Sequence, residues 1–110
     1  HAESRYLLGL IFEKKGDYRK SAEYLQDALR LGLLRIEILE KLLKIAWLLD
    51  NKNAIIESIE SRAREFKRFF IRNAGFNDRR IMRFQDKNLG KRVKKLEEAL
   101  SKIKKEAHHA

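Results

Sequence analysis

Proline is absent from this chain of 110 residues, and glycine occurs only five times. Because these two residue types are the strongest interrupters of regular structure, their scarcity favours long helices joined by short connections. A composition dominated by Lys, Arg, Glu, Leu, Ile and Ala also favours helix. The hydrophobic share of 44% is typical of a globular protein and not of a disordered one. The predicted fold class is therefore all-α.

The spacing of apolar and turn residues predicts five helical segments. Their ranges are 2–15, 18–31, 35–49, 53–73 and 79–106, with a break near 88–90 as an open alternative for the last. Gly16 and Gly32 are expected to end the first two helices, and Asp17 to cap the second. The third segment is apolar on more than one face, which predicts a position between neighbouring helices.

The last two segments each carry one apolar stripe at steps of three and four residues, as expected for packing on a partner helix. The stripes are Ile56, Ile59, Ala63, Phe66 and Phe70 in the fourth segment, and Leu89, Val93, Leu96, Leu100 and Ile103 in the fifth. One hypothesis for the function is that the stripe from Leu89 to Ile103 pairs two copies of the chain as a coiled coil.

The first 35 residues contain small, aromatic and turn residues at fixed spacing: Leu8-Gly9, Phe12, Gly16-Asp17-Tyr18, Ser21 and Ala28-Leu29. This pattern resembles a tetratricopeptide repeat, a pair of antiparallel helices. Gly9 and Ser21 are small where the two helices are expected to approach closely, and Phe12 and Leu25 are expected to fill the gap between them. Arg5 and Leu33 depart from the family pattern, which often has tryptophan or leucine at the first position and proline at the second.

The resemblance implies a fold of antiparallel helix-turn-helix pairs in a short right-handed solenoid. Residues 2–35 form the clear repeat and 36–75 a diverged one, in which Leu42-Leu43 stands where Leu8-Gly9 stood. Residues 76–110 are expected to form a basic C-terminal capping helix region, separate from the repeats of 1–75. Since fewer than three repeats are marginally stable, the chain is expected to belong to a longer tetratricopeptide protein or to self-associate.

The chemistry of the side chains does not favour an enzyme. Cysteine is absent, which excludes disulfides and thiolate sites, and the three histidines are His1, His108 and His109. No zinc-protease, phosphate-loop or nucleophile-elbow motif occurs. The carboxylate pairs Glu37/Glu40 and Glu57/Glu60 are interpreted as solvated helix faces. No catalytic residue, cofactor or metal is expected, and no apolar run approaches the roughly 18 to 20 residues of a membrane span.

The formal net charge of +10 arises in the second half of the chain. Residues 1–61 contain 10 Lys+Arg and 10 Asp+Glu, whereas residues 62–110 contain 16 and 6. This asymmetry indicates an acidic partner: nucleic acid, an acidic protein or an anionic membrane, of which the membrane ranks last because the apolar stripe is narrow. The basic-face candidates are Arg68, Arg72, Arg79, Arg80, Arg83, Lys87, Lys91 and Arg92. The alternative interpretation of these residues is a solvated helix face.

The resemblance also implies that ligands bind on the inner face of the first helix of each repeat. The partner-groove candidates on that face are Glu3, Tyr6, Leu10, Glu13 and Lys14. The diverged repeat offers Glu37, Glu40, Lys44, Trp47 and Leu48, although Trp47 is predicted to be a core filler. We therefore expect a non-catalytic protein–protein interaction scaffold that binds a protein or peptide. The alternative is a nucleic-acid-binding accessory domain that uses the basic second half.

Overall fold

The computed structural model describes the backbone of residues 1–74 and 89–109, and the side chains of residues 1–68 and 90–106. In this part of the chain the structure has five helices and no strand, which confirms the all-α class. The helices are α1 (Ala2–Lys14), α2 (Tyr18–Arg30), α3 (Ile36–Leu48), α4 (Asn53–Ala74) and α5 (Leu89–His109). The first four have ends within one residue of the predicted ones. The predicted helical stretch 79–88 lies outside the described residues.

The turn between α1 and α2 is built as the sequence predicts. Gly16 has a φ of +81°, and its N–H donates to the carbonyl oxygen of Glu13 at 3.0 Å. The Asp17 N–H donates to the carbonyl oxygen of Phe12 at 3.0 Å, which completes a Schellman motif. The Asp17 carboxylate then accepts from the N–H of Lys20 at 3.2 Å and caps α2.

Helices α1 and α2 approach each other closely at Gly9. A Cβ atom on Gly9 would lie only 2.7 Å from the Cδ2 atom of Leu25, which is fully buried. The Ser21 hydroxyl donates to the carbonyl oxygen of Gly9 at 2.7 Å in the same contact. The expected close approach is thus present, with Leu25 filling the gap. Phe12 is only half-buried beside this contact, and its ring stacks on that of Tyr24.

Helix α3 lies at the centre of the core, in contact with α2, α4 and α5. Seven of its thirteen residues are buried: Ile36, Ile38, Leu39, Leu42, Leu43, Ile45 and Ala46. The prediction that this helix lies between neighbours is confirmed. Its burial on several sides makes it the element on which α2, α4 and α5 pack.

Helices α4 and α5 run antiparallel, as their ion pairs Lys67–Glu97 and Lys104–Glu60 show. The two predicted stripes face the core: Ile56, Ile59, Ala63 and Phe66 are buried on α4, and Val93, Leu96, Leu100 and Ile103 on α5. The side chains of Phe70 and Leu89 lie outside the described part. Because the α5 stripe is used within the chain, a coiled coil of two copies through it would require α5 to leave the core.

Helix α1 buries little of its apolar surface. Gly9 is its only buried residue, while Leu7 and Ile11 are 54% and 47% exposed. The physical reason is that α1 packs mainly on α2, with few contacts to α3. The side of α1 that points away from α2 is therefore open to solvent.

Candidate partner-binding faces

Ion pairs join α1, α3 and α5 on one face of the molecule. Glu3 on α1 pairs with Arg35 at 2.9 Å, and Glu13 pairs with Lys41 on α3 at 3.1 Å. These two pairs occur in the same order along both helices, so α1 and α3 run parallel. We call the surface marked by the ion pairs between α1 and α3 and between α3 and α5 the front face.

Arg92 continues the front face from α3 to α5. Its Nε donates to the Glu40 carboxylate at 3.0 Å, a second nitrogen also binds Glu40, and Nη1 lies 3.5 Å from Glu37. Arg92 was predicted as a basic-face residue, and Glu37 and Glu40 as groove residues. The structure brings all three together, and the arginine charge is matched by carboxylates of the same chain.

The partner-groove candidates on α1 lie on or beside the front face. Tyr6 is half-buried with the Arg35 guanidinium 5.6 Å from its ring centre, and Leu10 is half-buried. Glu3 and Glu13 are held in the ion pairs described above, and Lys14 is exposed. Their exposed neighbour Leu7 was not among the candidates, although it follows Glu3 by one helical turn.

The end of α3 exposes two large apolar side chains on the same face. Trp47 is 41% exposed and Leu48 is 55% exposed, so the prediction that Trp47 fills the core is wrong. Trp47 lies two helical turns after Glu40, and Leu48 two turns after Lys41, which places both on the exposed side of α3. The Lys52 ammonium group lies 5.7 Å from the centre of the Trp47 ring.

Few of the basic-face candidates belong to the described structure. Arg79, Arg80, Arg83 and Lys87 lie outside it, as does the side chain of Arg72. Arg68 and Lys91 are exposed, and Arg92 is bound to α3 as described. The ion pairs between α4 and α5 also match the charges of Lys67 and Lys104, two further cations of this half.

The structure shows a second surface that the sequence analysis did not single out. The rings of Phe12 and Tyr24 stack with 5.4 Å between their centres and 9° between their planes. Arg5 lies 5.7 Å from the Tyr24 ring centre, and Lys15 and Lys20 lie 5.6 and 5.3 Å from that of Phe12. We call these five residues the cation–aromatic surface. The sequence signal for this surface is the helical spacing of its residues: Arg5 and Phe12 are seven residues apart, and Lys20 and Tyr24 are four apart.

Two shallow clefts lie away from these surfaces. One of about 430 Å³ between α2 and α4 is lined by Gln26, Ser58 and their neighbours, and one of about 270 Å³ lies between α4 and α5. Within 1–74 and 89–109, no His, Cys, Asp and Glu group could hold a metal ion. No helix in those ranges has the length and apolarity that crossing a membrane requires.

Comparisons with protein-family models, curated proteins and solved structures find no match to this chain. The surfaces of the molecule itself are therefore the basis for a functional proposal.

Proposed function

We propose that this chain is a non-catalytic module that binds a protein or peptide partner on its front face. The observation that carries the proposal is the exposure of Leu7, Trp47 and Leu48, at 54%, 41% and 55%. Partner-binding surfaces commonly combine such apolar anchors with a polar rim, and tryptophan is among the residues that contribute most to binding. Here the ion pairs Glu13–Lys41 and Glu40–Arg92 supply the polar surroundings.

We also propose that the architecture is a tetratricopeptide-like, right-handed solenoid. Three observations support it. The close contact of Gly9 with Leu25 and the turn at Gly16 occupy the positions that the resemblance assigns to them. Helices α1 and α3 run parallel, as the first helices of successive repeats do. Helix α5 contacts both α3 and α4, which is the position of a capping helix after two repeats.

The experiment that tests the binding proposal is site-specific photo-cross-linking in the source cells. A photoreactive amino acid is placed at Leu48, at Leu7 or, as a matched control, at exposed Glu98 on α5. If one partner covers the front face, the same protein is cross-linked from Leu48 and from Leu7 but not from the control position. Trp47→Ala should lower the yield at both front-face positions, because it removes a central apolar anchor.

Two outcomes would contradict the proposal. One is equal cross-linking from the front-face and control positions, which is the pattern of random encounters. The other is a product that contains nucleic acid and no protein, which would favour the basic second half as the binding region.

A further inference from the structure

The cation–aromatic surface lies on a different side of α1 from the contacts with α3. Around the axis of α1, Arg5 and Phe12 lie about 100° or more from Tyr6, which contacts Arg35 of the front face. Two exposed apolar side chains adjoin this surface. Ile11, 47% exposed, lies one helical turn before Lys15 and one after Leu7, and Leu31, 58% exposed, follows Tyr24 by two helical turns.

Within the described residues, Arg5, Lys15 and Lys20 form no ion pair with a carboxylate. Glu3 and Glu13 pair with Arg35 and Lys41. Asp27 pairs with Arg30, and Asp17 is engaged as the cap of α2. Glu23, the remaining acidic residue of α2, lies one helical turn after Lys20 but forms no ion pair with it among the described residues. Arg5, Lys15 and Lys20 contact aromatic rings instead of carboxylates.

We infer that this surface binds an amphipathic helix with acidic flanks from a partner protein, separately from the front face. Ile11, Phe12, Tyr24 and Leu31 would contact the apolar stripe of that helix. Arg5, Lys15 and Lys20 would pair with its carboxylates. Helices that bind in grooves present apolar anchors at spacings of three and four residues. Acidic residues on both sides of such an apolar stripe would lie beside the cations of this surface.

Charge and geometry favour this occupant over two others. A second copy docked through the same surface would bring the three cations of each copy together, and like charges across an interface are unfavourable. A nucleic-acid base would stack on an aromatic face, but the Phe12 and Tyr24 faces are already occupied by each other and by cations.

The test uses the whole chain, labelled with ¹⁵N, and two synthetic amphipathic peptides of about 18 residues, long enough to form helix on a surface. Both peptides have the same leucine stripe; one carries glutamate on the flanks and the other lysine. We expect the glutamate peptide to shift the amide signals of Lys15, Lys20 and Tyr24. The lysine peptide should bind at least about tenfold more weakly because its charges repel the surface.

Two double variants with the same charge change provide the control. Lys15→Glu/Lys20→Glu should weaken binding of the glutamate peptide at least about tenfold. Lys102→Glu/Lys105→Glu, at exposed positions of α5, should leave it within about twofold. Ile11→Asp tests the apolar part at an exposed site, and thermal melting shows whether each variant is folded.

The inference would be overturned by equal binding of both peptides, by absence of binding, or by a dimer in light scattering that Lys15→Glu/Lys20→Glu dissolves. Signal shifts confined to Trp47, Leu48 and Leu7 would also overturn it, while supporting the front-face proposal. Failure of the two proposals is therefore distinguishable, because the amide signals locate the bound peptide.

Discussion

The Ser21 hydroxyl donates a hydrogen bond of 2.7 Å to the carbonyl oxygen of Gly9, and it does so in a contact from which water is excluded. Gly9 has no side chain, so the backbone of α1 lies against Ser21 and Leu25 of α2. Gly9 is the only fully buried residue of α1. The close approach of α1 and α2 at this point therefore depends on the absence of a Cβ atom on Gly9.

Gly9→Ala should destabilise the protein by about 1–2 kcal/mol, despite the higher helix propensity of alanine. The new Cβ would lie 2.7 and 2.8 Å from two Leu25 atoms and 3.3 Å from the Ser21 carbonyl oxygen. Leu25 is fully buried and cannot move aside freely. Urea unfolding monitored by circular dichroism measures the loss.

A double-mutant cycle separates this steric effect from a general effect of alanine. Leu25→Ala alone should cost about 2–5 kcal/mol because it leaves a cavity. In the Leu25→Ala background, Gly9→Ala should be neutral or stabilising by up to about 1 kcal/mol. Equal effects of Gly9→Ala in both backgrounds would show that the two residues are not in contact.

Gly16→Ala should cost about 1 kcal/mol, because alanine is strained at the φ of +81° that ends α1. Gly16→Asn should cost less, since asparagine tolerates the left-handed region. Gly32, with a φ of +97°, is a matched second site at the end of α2, where alanine should have a similar effect. Thermal unfolding of the three variants is the measurement, and equal losses for alanine and asparagine at Gly16 would argue against strain as the cause.

The burial of helices packed on several neighbours could be predicted from the sequence. The stripes of α4 and α5 and the apolar surface of α3 specify their own buried sides, because their period matches that of a helix. Helix α1 could not be treated in this way. Its apolar residues Leu7 and Ile11 have the same spacing as core residues, and they are exposed because none of the described helices packs over them.

The candidate sites were predicted less well, for reasons of charge pairing and position. Net charge marks the second half as basic, but it does not show that Arg92 is bound by Glu40, 52 residues away in sequence. Likewise, Trp47 is a large apolar residue of a type often found in cores, and its 41% exposure follows from its place on the outer side of α3. The cation–aromatic surface combines residues of two helices, so neither helix shows it alone.

Ile103→Ala should destabilise the protein by about 2–5 kcal/mol, because this α5 side chain is fully buried against the core. The neighbouring exposed residue provides the control: Lys102→Ala should change stability by no more than about 0.5 kcal/mol. Urea unfolding of both variants measures the difference. A loss below about 1 kcal/mol for Ile103→Ala would mean that α5 is not an integral part of the core.

Arg92→Ala should loosen α5 more than it lowers overall stability. Its ion pairs with Glu37 and Glu40 are partly solvated, so a loss of about 0.5–1 kcal/mol is expected. The rate of amide hydrogen exchange should rise in α5 and stay unchanged in α2, because α2 lies across the core from the lost contact. Lys91→Ala, at the adjacent exposed position, is the control. Unchanged exchange in α5 would show that apolar packing alone holds this helix.

If the chain binds a protein and not nucleic acid, oligonucleotides should bind it only at low salt. The slope of log affinity against log salt counts the phosphate contacts, and a loss of binding before about 0.15 M salt is the behaviour of unspecific charge attraction. Fluorescence anisotropy with single- and double-stranded oligonucleotides measures this slope. Pairing of Arg92, Lys67 and Lys104 with carboxylates supports the expectation. Tight binding at near-physiological salt, lost in Arg79→Ala/Arg80→Ala/Arg83→Ala, would instead make the basic second half a nucleic-acid-binding region.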